Sequence, residues 1–420
     1  MVGKGALIVV IGFGLLFGIM GVRFNGMEDR AIENMAYYHD VTNAHNIATA
    51  GANAAMAIFY QNQALRGILT SQSLTIGNYK GGSFSSSIDS VPGKLRLRSL
   101  SAYKGFADTV EVYFSTQKNN SFSLFSWLTN FENGVYWITG DTVWGRVHSN
   151  GTLNVNGRPV FMEKVTTSKA FNPKPGSLTN KAIFKKGYET GIANIPFPTD
   201  VSALVTAATT GGRSYAGNIF LTLSGGSSAN GDGKVYVRSS SGGPIIDSIS
   251  LADAFFNGVV YSTGQVSVQG TLDGRLTIAT ATNVVVTDNI LYEQNPLIGS
   301  SDDLLGIVAN NNVIVADNLA NRTNCEIDAA IFCRSGSFTA ENYASRPVSG
   351  WLKIIGGIVQ NTRGPVGTFS GSSIVSGFSK RYYYDDRMAD NNVRPPFFPG
   401  YFTSTYSIAN WWENVRIPTF

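Results

Sequence analysis

Ala6-Leu-Ile-Val-Val-Ile-Gly-Phe-Gly-Leu-Leu-Phe-Gly-Ile-Met-Gly-Val22 is an unbroken apolar run, with Lys4 before it and Arg23 after it. As a helix rising about 1.5 Å per residue it extends roughly 25 Å, near the lower limit for crossing a bilayer. The helical pattern continues past Arg23: Met27 to Arg66 contains no proline and is rich in Ala, Asn, Glu, Met and Gln. Ile32, Met35/Ala36, Ile47, Gly51, Ala54/Ala55 and Ile58 approximate a 3.6-residue stripe. Together they predict one helix of about 60 residues, ~90 Å long, stopping at Gly67. A monomer cannot bury its first part; the second is expected to lie on the domain that follows.

Three readings compete for the apolar run. A cleaved secretory signal needs a small-residue cleavage site, and Gly21-Val-Arg-Phe-Asn25 is a poor one. A plain one-pass anchor is the second. The third, preferred here, is an anchor that also packs against copies of itself through Ile8, Ile11, Gly12, Gly14, Leu15, Gly18 and Gly21. Gly14 and Gly18 have the G-x-x-x-G spacing that lets two helix backbones approach closely.

Working outward, the composition is that of an exported, turn-rich β protein. Charged residues make up 14% of 420 and Gly numbers 46, against about 25% and ~7% in ordinary soluble domains. A net charge of +4 is too small and dispersed to imply nucleic acid. From 67 to 133 short β runs take over; Lys94-Leu-Arg-Leu-Arg98 and Thr109-Val-Glu-Val-Tyr-Phe114 alternate, which predicts a small antiparallel sheet packed on the helix. From 134 to 380 very short β-branched runs, such as Leu276-Thr-Ile278, Val284-Val-Val286 and Val313-Ile-Val315, are each closed by Gly, Asn or Asp. That spacing predicts a parallel β-helix, a solenoid, with an antiparallel β-sandwich as the alternative. A hairpin from Ile219–Leu223 to Lys234–Arg238 and a proline-rich stretch, Asn172–Asp200, read as excursions from it. The fold class is therefore α+β, mainly β, in segments 1–22, 23–66, 67–133, 134–380 and 381–420.

The last segment is aromatic: Tyr382-Tyr-Tyr-Asp-Asp-Arg387, Pro395-Pro-Phe-Phe-Pro399, Tyr401-Phe402, Tyr406 and Trp411-Trp412. It is expected to cover an exposed edge of the β-helix. The competing reading makes Tyr382, Tyr383, Tyr384, Trp411 and Trp412 a contact surface for a neighbouring subunit or a carbohydrate.

Catalytic chemistry is sparse. His39 and His45 are six apart, on different helix faces, and with His148 they form no metal-ligand spacing. Asn230-Gly-Asp-Gly233 lacks the later bidentate Glu of a calcium loop and reads as a turn. Asp302-Asp303, and Asp385-Asp386 with Lys380, Arg381 and Arg387, are the only acidic clusters suited to a polysaccharide-cleaving site, and solvated turns explain them equally well. If Cys325 and Cys333 bound one strand, their Cα atoms lie more than about 20 Å apart, which predicts two buried thiols rather than a disulfide. No enzyme activity, cofactor or metal is expected.

An apolar helix continuing into an amphipathic one and then a β domain resembles the architecture of type IV pilin-like proteins. Ala44-His-Asn-Ile-Ala-Thr-Ala-Gly-Ala-Asn-Ala-Ala55 resembles the stretch after the hydrophobic segment of minor pilins. Gly350-Trp-Leu-Lys-Ile-Ile-Gly-Gly-Ile-Val-Gln360 and Tyr382-Tyr-Tyr-Asp-Asp-Arg387 look like bacterial surface proteins that join such an N-terminus to a β-helical region. Pilins carry a glutamate five residues into the mature chain; after cleavage at Gly5 that position is Val10, and no Glu precedes Glu28, so the N-terminus is expected to stay uncleaved. The resemblance implies a structural subunit of an extracellular bacterial filament, with copies of itself as partners in a helical homopolymer. The inner membrane holds it before assembly, its β domains lie outside the helical core, and surface glycans are candidate partners. The alternative is a membrane-anchored surface adhesin or carbohydrate-binding protein.

Overall fold

The computed structural model describes residues 2–61, 71–92, 94–115, 118–226, 231–370, 373–403 and 407–413. The chain is mostly β with one long N-terminal helix. It divides into two compact units, Met1–Lys118 with Ser404–Phe420, and Asn119–Thr403. The expected helix stop at Gly67, and Tyr406, lie outside the described residues.

In the first unit, helix α1 runs 60 residues, Val2–Gln61. Four strands, β1 (Gln72–Tyr79), β2 (Gly82–Val91), β3 (Lys94–Tyr103) and β4 (Phe106–Ser115), form an antiparallel sheet whose far edge is completed by Ser407–Glu413. Leu95 and Leu97 point into the core, while Arg96 and Arg98 alternate outward to ion pairs with Asp89 and Glu111. Against Ile88, Leu97, Val110, Val112 and Phe114 lie Ala48, Ala52, Ala55 and Phe59 of α1, all fully buried. These small residues bring the backbones close enough for the Ser101 hydroxyl to donate to the Ala44 carbonyl at 2.6 Å, and Ser86 to the Gly51 carbonyl at 3.2 Å. The buried stripe thus runs Ala44, Ile47/Ala48, Gly51/Ala52, Ala55, Phe59. It differs from the expected stripe at both ends: Ile32 and Met35 are exposed, and Phe59 replaces Ile58, because the sheet begins to cover the helix only near Ala44.

The second unit is built on parallel ladders. One column of paired residues reads Arg213, Val260, Ile278, Ile307, Ile331, Ile358, Trp127, Val147, Val165, Tyr188. From Val260 to Val165 every member is buried. The spatial order is not the sequence order. The chain enters in the middle at Trp127–Phe131, stacks outward to Tyr188–Thr190, crosses to Arg213–Tyr215, and stacks back until Val348–Thr362 pairs with Trp127–Phe131. Partners are unevenly spaced in sequence, Val259 with Thr277 and Thr277 with Gly306.

The next residue along these strands faces the other way, and that face is covered too. Tyr261, Ala279, Val308, Phe332, Val359 and Leu128 form a second core with the helix Ser202–Thr210 and with Phe122, Phe197 and Phe398. Burial on both faces explains strands such as Leu304–Ala309, buried at every position. Antiparallel pairing in this unit joins Ile219–Ser224, Lys234–Arg238 and Ile245–Ser250, and Gly367–Ser370 with Ser373–Tyr383.

Several expectations are corrected here. Ladder pairing starts at Trp127, before residue 134. Asn172–Asp200 is not an insertion throughout, since Ile183–Phe184 and Tyr188–Thr190 are paired members of the stack. The 381–420 segment does not act as one cover. Tyr384 to Tyr401 contributes to a sheet face, whereas Ser407–Glu413 returns to the first unit, where the open edge of β4 takes it up as a strand. Cys325 and Cys333 are free buried thiols at the two ends of one strand; burial pushes both up to about 12.

Candidate assembly helix and surface contacts

The first third of α1 packs against none of the other described residues. From Leu7 to Val22 its large apolar side chains are between 48 and 76% exposed, Ile8, Ile11 and Leu15 among them. This is the reverse of the Ala44–Phe59 stretch of the same helix, where the stripe is buried. A Cβ placed on Gly12, Gly14, Gly18 or Gly21 would meet nothing within 4 Å, so intramolecular packing does not require these glycines. Gly14 and Gly18 leave a shallow recess on the helix surface beside Leu15, Ile19, Val22 and Arg23. By length and composition α1 is also fit to cross a membrane. The sequence-predicted assembly residues are thus brought together on one exposed helical segment.

The aromatic tail residues part company. Tyr382 is buried, its ring stacked on Trp127 at 5.7 Å, and burial raises its phenol far above the usual range. Tyr384 is buried and donates its hydroxyl to the Ser123 carbonyl at 3.0 Å. Neither has the exposure a contact surface needs. Tyr383 is half-buried and stacks on Trp144 at 4.4 Å. Trp411 packs against the core of the first unit and donates its indole N–H to Glu413 at 2.8 Å, leaving Trp412 the exposed member of the set.

The acidic candidates are held in structural pairs. Asp385 is fully buried and accepts two bonds from the Arg387 guanidinium, which also donates to the Ser301 and Asp303 carbonyls. Lys380 pairs with buried Asp141 at 3.0 Å, and desolvation lowers its ammonium below the ordinary lysine range. Asp273, Asp302 and Asp303 bring carboxylate oxygens within 4.8 Å of one another, a grouping able to hold a cation. Four backbone N–H groups already point at it: Gly231 and Asp232 donate to Asp273, and Gly274 and Gln294 donate to Asp303. Sequence reasoning paired Asp302 with Asp303 and missed Asp273, which no local spacing connects to them. His45 accompanies Asp108 at 2.7 Å, a helix-to-sheet bond.

A helix whose exposed apolar start continues into a buried stripe on an antiparallel sheet resembles the arrangement of type IV pilin-like proteins. No family model matches the chain, and no curated protein matches it. Among solved structures, the chain is similar to the crystal structure of the competence-associated pilin ComZ from Thermus thermophilus, at 12% identity over 89% of this chain and 97% of that one, with a TM-score of 0.39. A likeness at that level fixes neither the fold nor the function.

Proposed function

We propose that this chain is a non-enzymatic, pilin-like subunit of an extracellular filament, held in the membrane by α1 before assembly and polymerising through Ile8, Ile11, Gly12, Gly14, Leu15, Gly18 and Gly21. The observation that carries it is the exposure of every large apolar side chain from Leu7 to Val22. Outside a bilayer such a stripe escapes water only against copies of itself. Burying the 13 apolar side chains of Ala6–Val22 at roughly 25 cal/mol per Å² favours assembly by tens of kcal/mol before entropy is counted. We read the second unit as a β-helix, supported by its parallel ladders and by the column from Val260 to Val165. Trp412 is the residue of the aromatic set offered to a surface partner.

Electron microscopy of cell-surface material tests the assembly reading. Wild type gives regular fibres containing this chain, and Gly14→Leu with Gly18→Leu is exported and folded but gives none. A wild-type protein that stays monomeric in the membrane overturns the proposal in favour of the anchored adhesin.

A further inference from the structure

The geometry points to a second functional surface, remote in role from α1: we propose that the outer face of the strands Ile219–Ser224, Val266–Leu272 and Val284–Tyr292 binds a short neutral oligosaccharide. A groove of about 680 Å³ lies there, within the ~300–1,000 Å³ of small-ligand sites. The turn at Ser241 to Gly243 walls one side and Asn318 to Ala320 the other. Across its floor, register places Arg238, Phe220 and Ser267 side by side, and Thr222 beside Gln269.

The lining has the chemistry of a sugar site. Among the described residues it contains no carboxylate and one charged side chain, Arg238, which donates to the Thr222 hydroxyl at 3.1 Å. A polyanion needs several cations to offset its charge, so one arginine does not make a nucleic-acid or polyuronate track. The remaining polar groups are hydroxyls and carboxamides with capacity to spare. Gln269 accepts at Oε1 from the Thr287 hydroxyl at 2.8 Å, while its Nε2 donors have no partner among the described residues. Ser267 is 5% exposed, and its hydroxyl likewise has none. These donors line the groove and are free to bond the hydroxyls of a ligand lying in it. Phe220 on the floor and Leu319 on the rim, 83% exposed, offer apolar patches to the C–H faces of sugar rings. Neutral hydroxyls and C–H faces together are what a neutral oligosaccharide presents, and what an apolar peptide does not.

The test uses the full chain in detergent micelles on an array of neutral tetraoses (maltotetraose, cellotetraose, chitotetraose) and oligouronates, followed by calorimetric titration of the best neutral probe. Gln269→Ala and Leu319→Ala should each weaken binding about tenfold or more. Leu319 is too exposed for its truncation to unfold the unit, so that variant should melt as wild type does. Leu178→Ala, an equally exposed apolar residue outside the groove, should bind as wild type, which shows that the loss is specific to the groove. Fibre formation by Leu319→Ala should be unchanged, which separates it from assembly through α1. No neutral probe bound by wild type, equal binding by both groove variants, or equal preference for oligouronates overturns the proposal.

Discussion

Asp328 lies buried midway along the strand Cys325–Cys333 and accepts the Tyr292 backbone N–H at 3.0 Å; its Oδ1 has no hydrogen-bond partner among the described residues. Burial is the main cause that pushes its carboxyl up to about 7, offset in part by the Tyr292 hydrogen bond, with Glu326 adding to the rise and Lys353 opposing it. Between the ordinary carboxylate range and about pH 7, the folded chain keeps a proton that the unfolded chain has released. Stability therefore falls as pH rises through that window. Asp328→Asn keeps the acceptor and removes the charge, so it should raise stability at pH 8 by on the order of 2–4 kcal/mol. Denaturant unfolding from pH 4 to 8 checks this, and an unchanged slope rejects it. Arg363 and Glu132 are both buried, paired at 2.8 Å, with the guanidinium 4.2 Å from the Trp137 ring centroid. Arg363→Ala strands Glu132 and should cost about 3–5 kcal/mol, most of it recovered when Glu132→Gln is added. Neither partnership was legible in the sequence, where Glu132 and Arg363 stand 231 positions apart and nothing near Asp328 marks its carboxyl as buried.

At the scale of elements, α1 was the most legible part of the chain, because an apolar run and a 3.6-residue stripe are local patterns. Gly51 was expected on the face toward the following domain and Gly14 and Gly18 in the unpartnered run, and the space around them differs in that sense. A Cβ on Gly51 would meet the Phe84 ring at 2.6 Å, whereas one on Gly14 or Gly18 meets open space. Gly51→Val should therefore destabilise the first unit by about 1–3 kcal/mol through overpacking, while Gly14→Leu with Gly18→Leu leaves its melting untouched. Thermal unfolding of the full chain in detergent compares them; equal melting of the Gly51 variant and wild type would mean the helix shifts freely on the sheet. The short strands were legible as strands from their β-branched runs and closing turns. The oligosaccharide groove was not, since four strands and two turns contribute to it and no stretch carries more than three of its residues.

At the scale of the molecule, the ladder of the unit Asn119–Thr403 joins distant chain segments in an order no local pattern records. Two chain segments meet where Ile358, Val359 and Gln360 pair with Trp127, Leu128 and Thr129, so the earliest strand of the stack lies at its middle and its ends are Tyr188–Thr190 and Arg213–Tyr215. A stack wound in sequence order would be expected to fray at the N-terminal strand, since each repeat depends on its neighbours. Here that strand has neighbours on both sides: Trp127 pairs with Ile358 and with Val147, and its ring lies between Trp137 and Tyr382. Among the described residues Tyr188–Thr190 pairs with Val165–Thr167 alone, and it is exposed at all three positions. Opening free energies follow pairing and burial, not position in the chain. Hydrogen exchange should accordingly protect Trp127–Phe131 as strongly as Cys325–Cys333, with Tyr188–Thr190 and Arg213–Tyr215 exchanging first. Substituting Ile358→Asp at the junction should bury a charge without a partner. It should release protection in the 127–149 and 348–362 segments together, while Ile278→Asp, several strands away, should act first on 259–309. Exchange of Trp127–Phe131 ahead of the two ends would show that the two segments fold as separate stacks and that the junction is a weak contact.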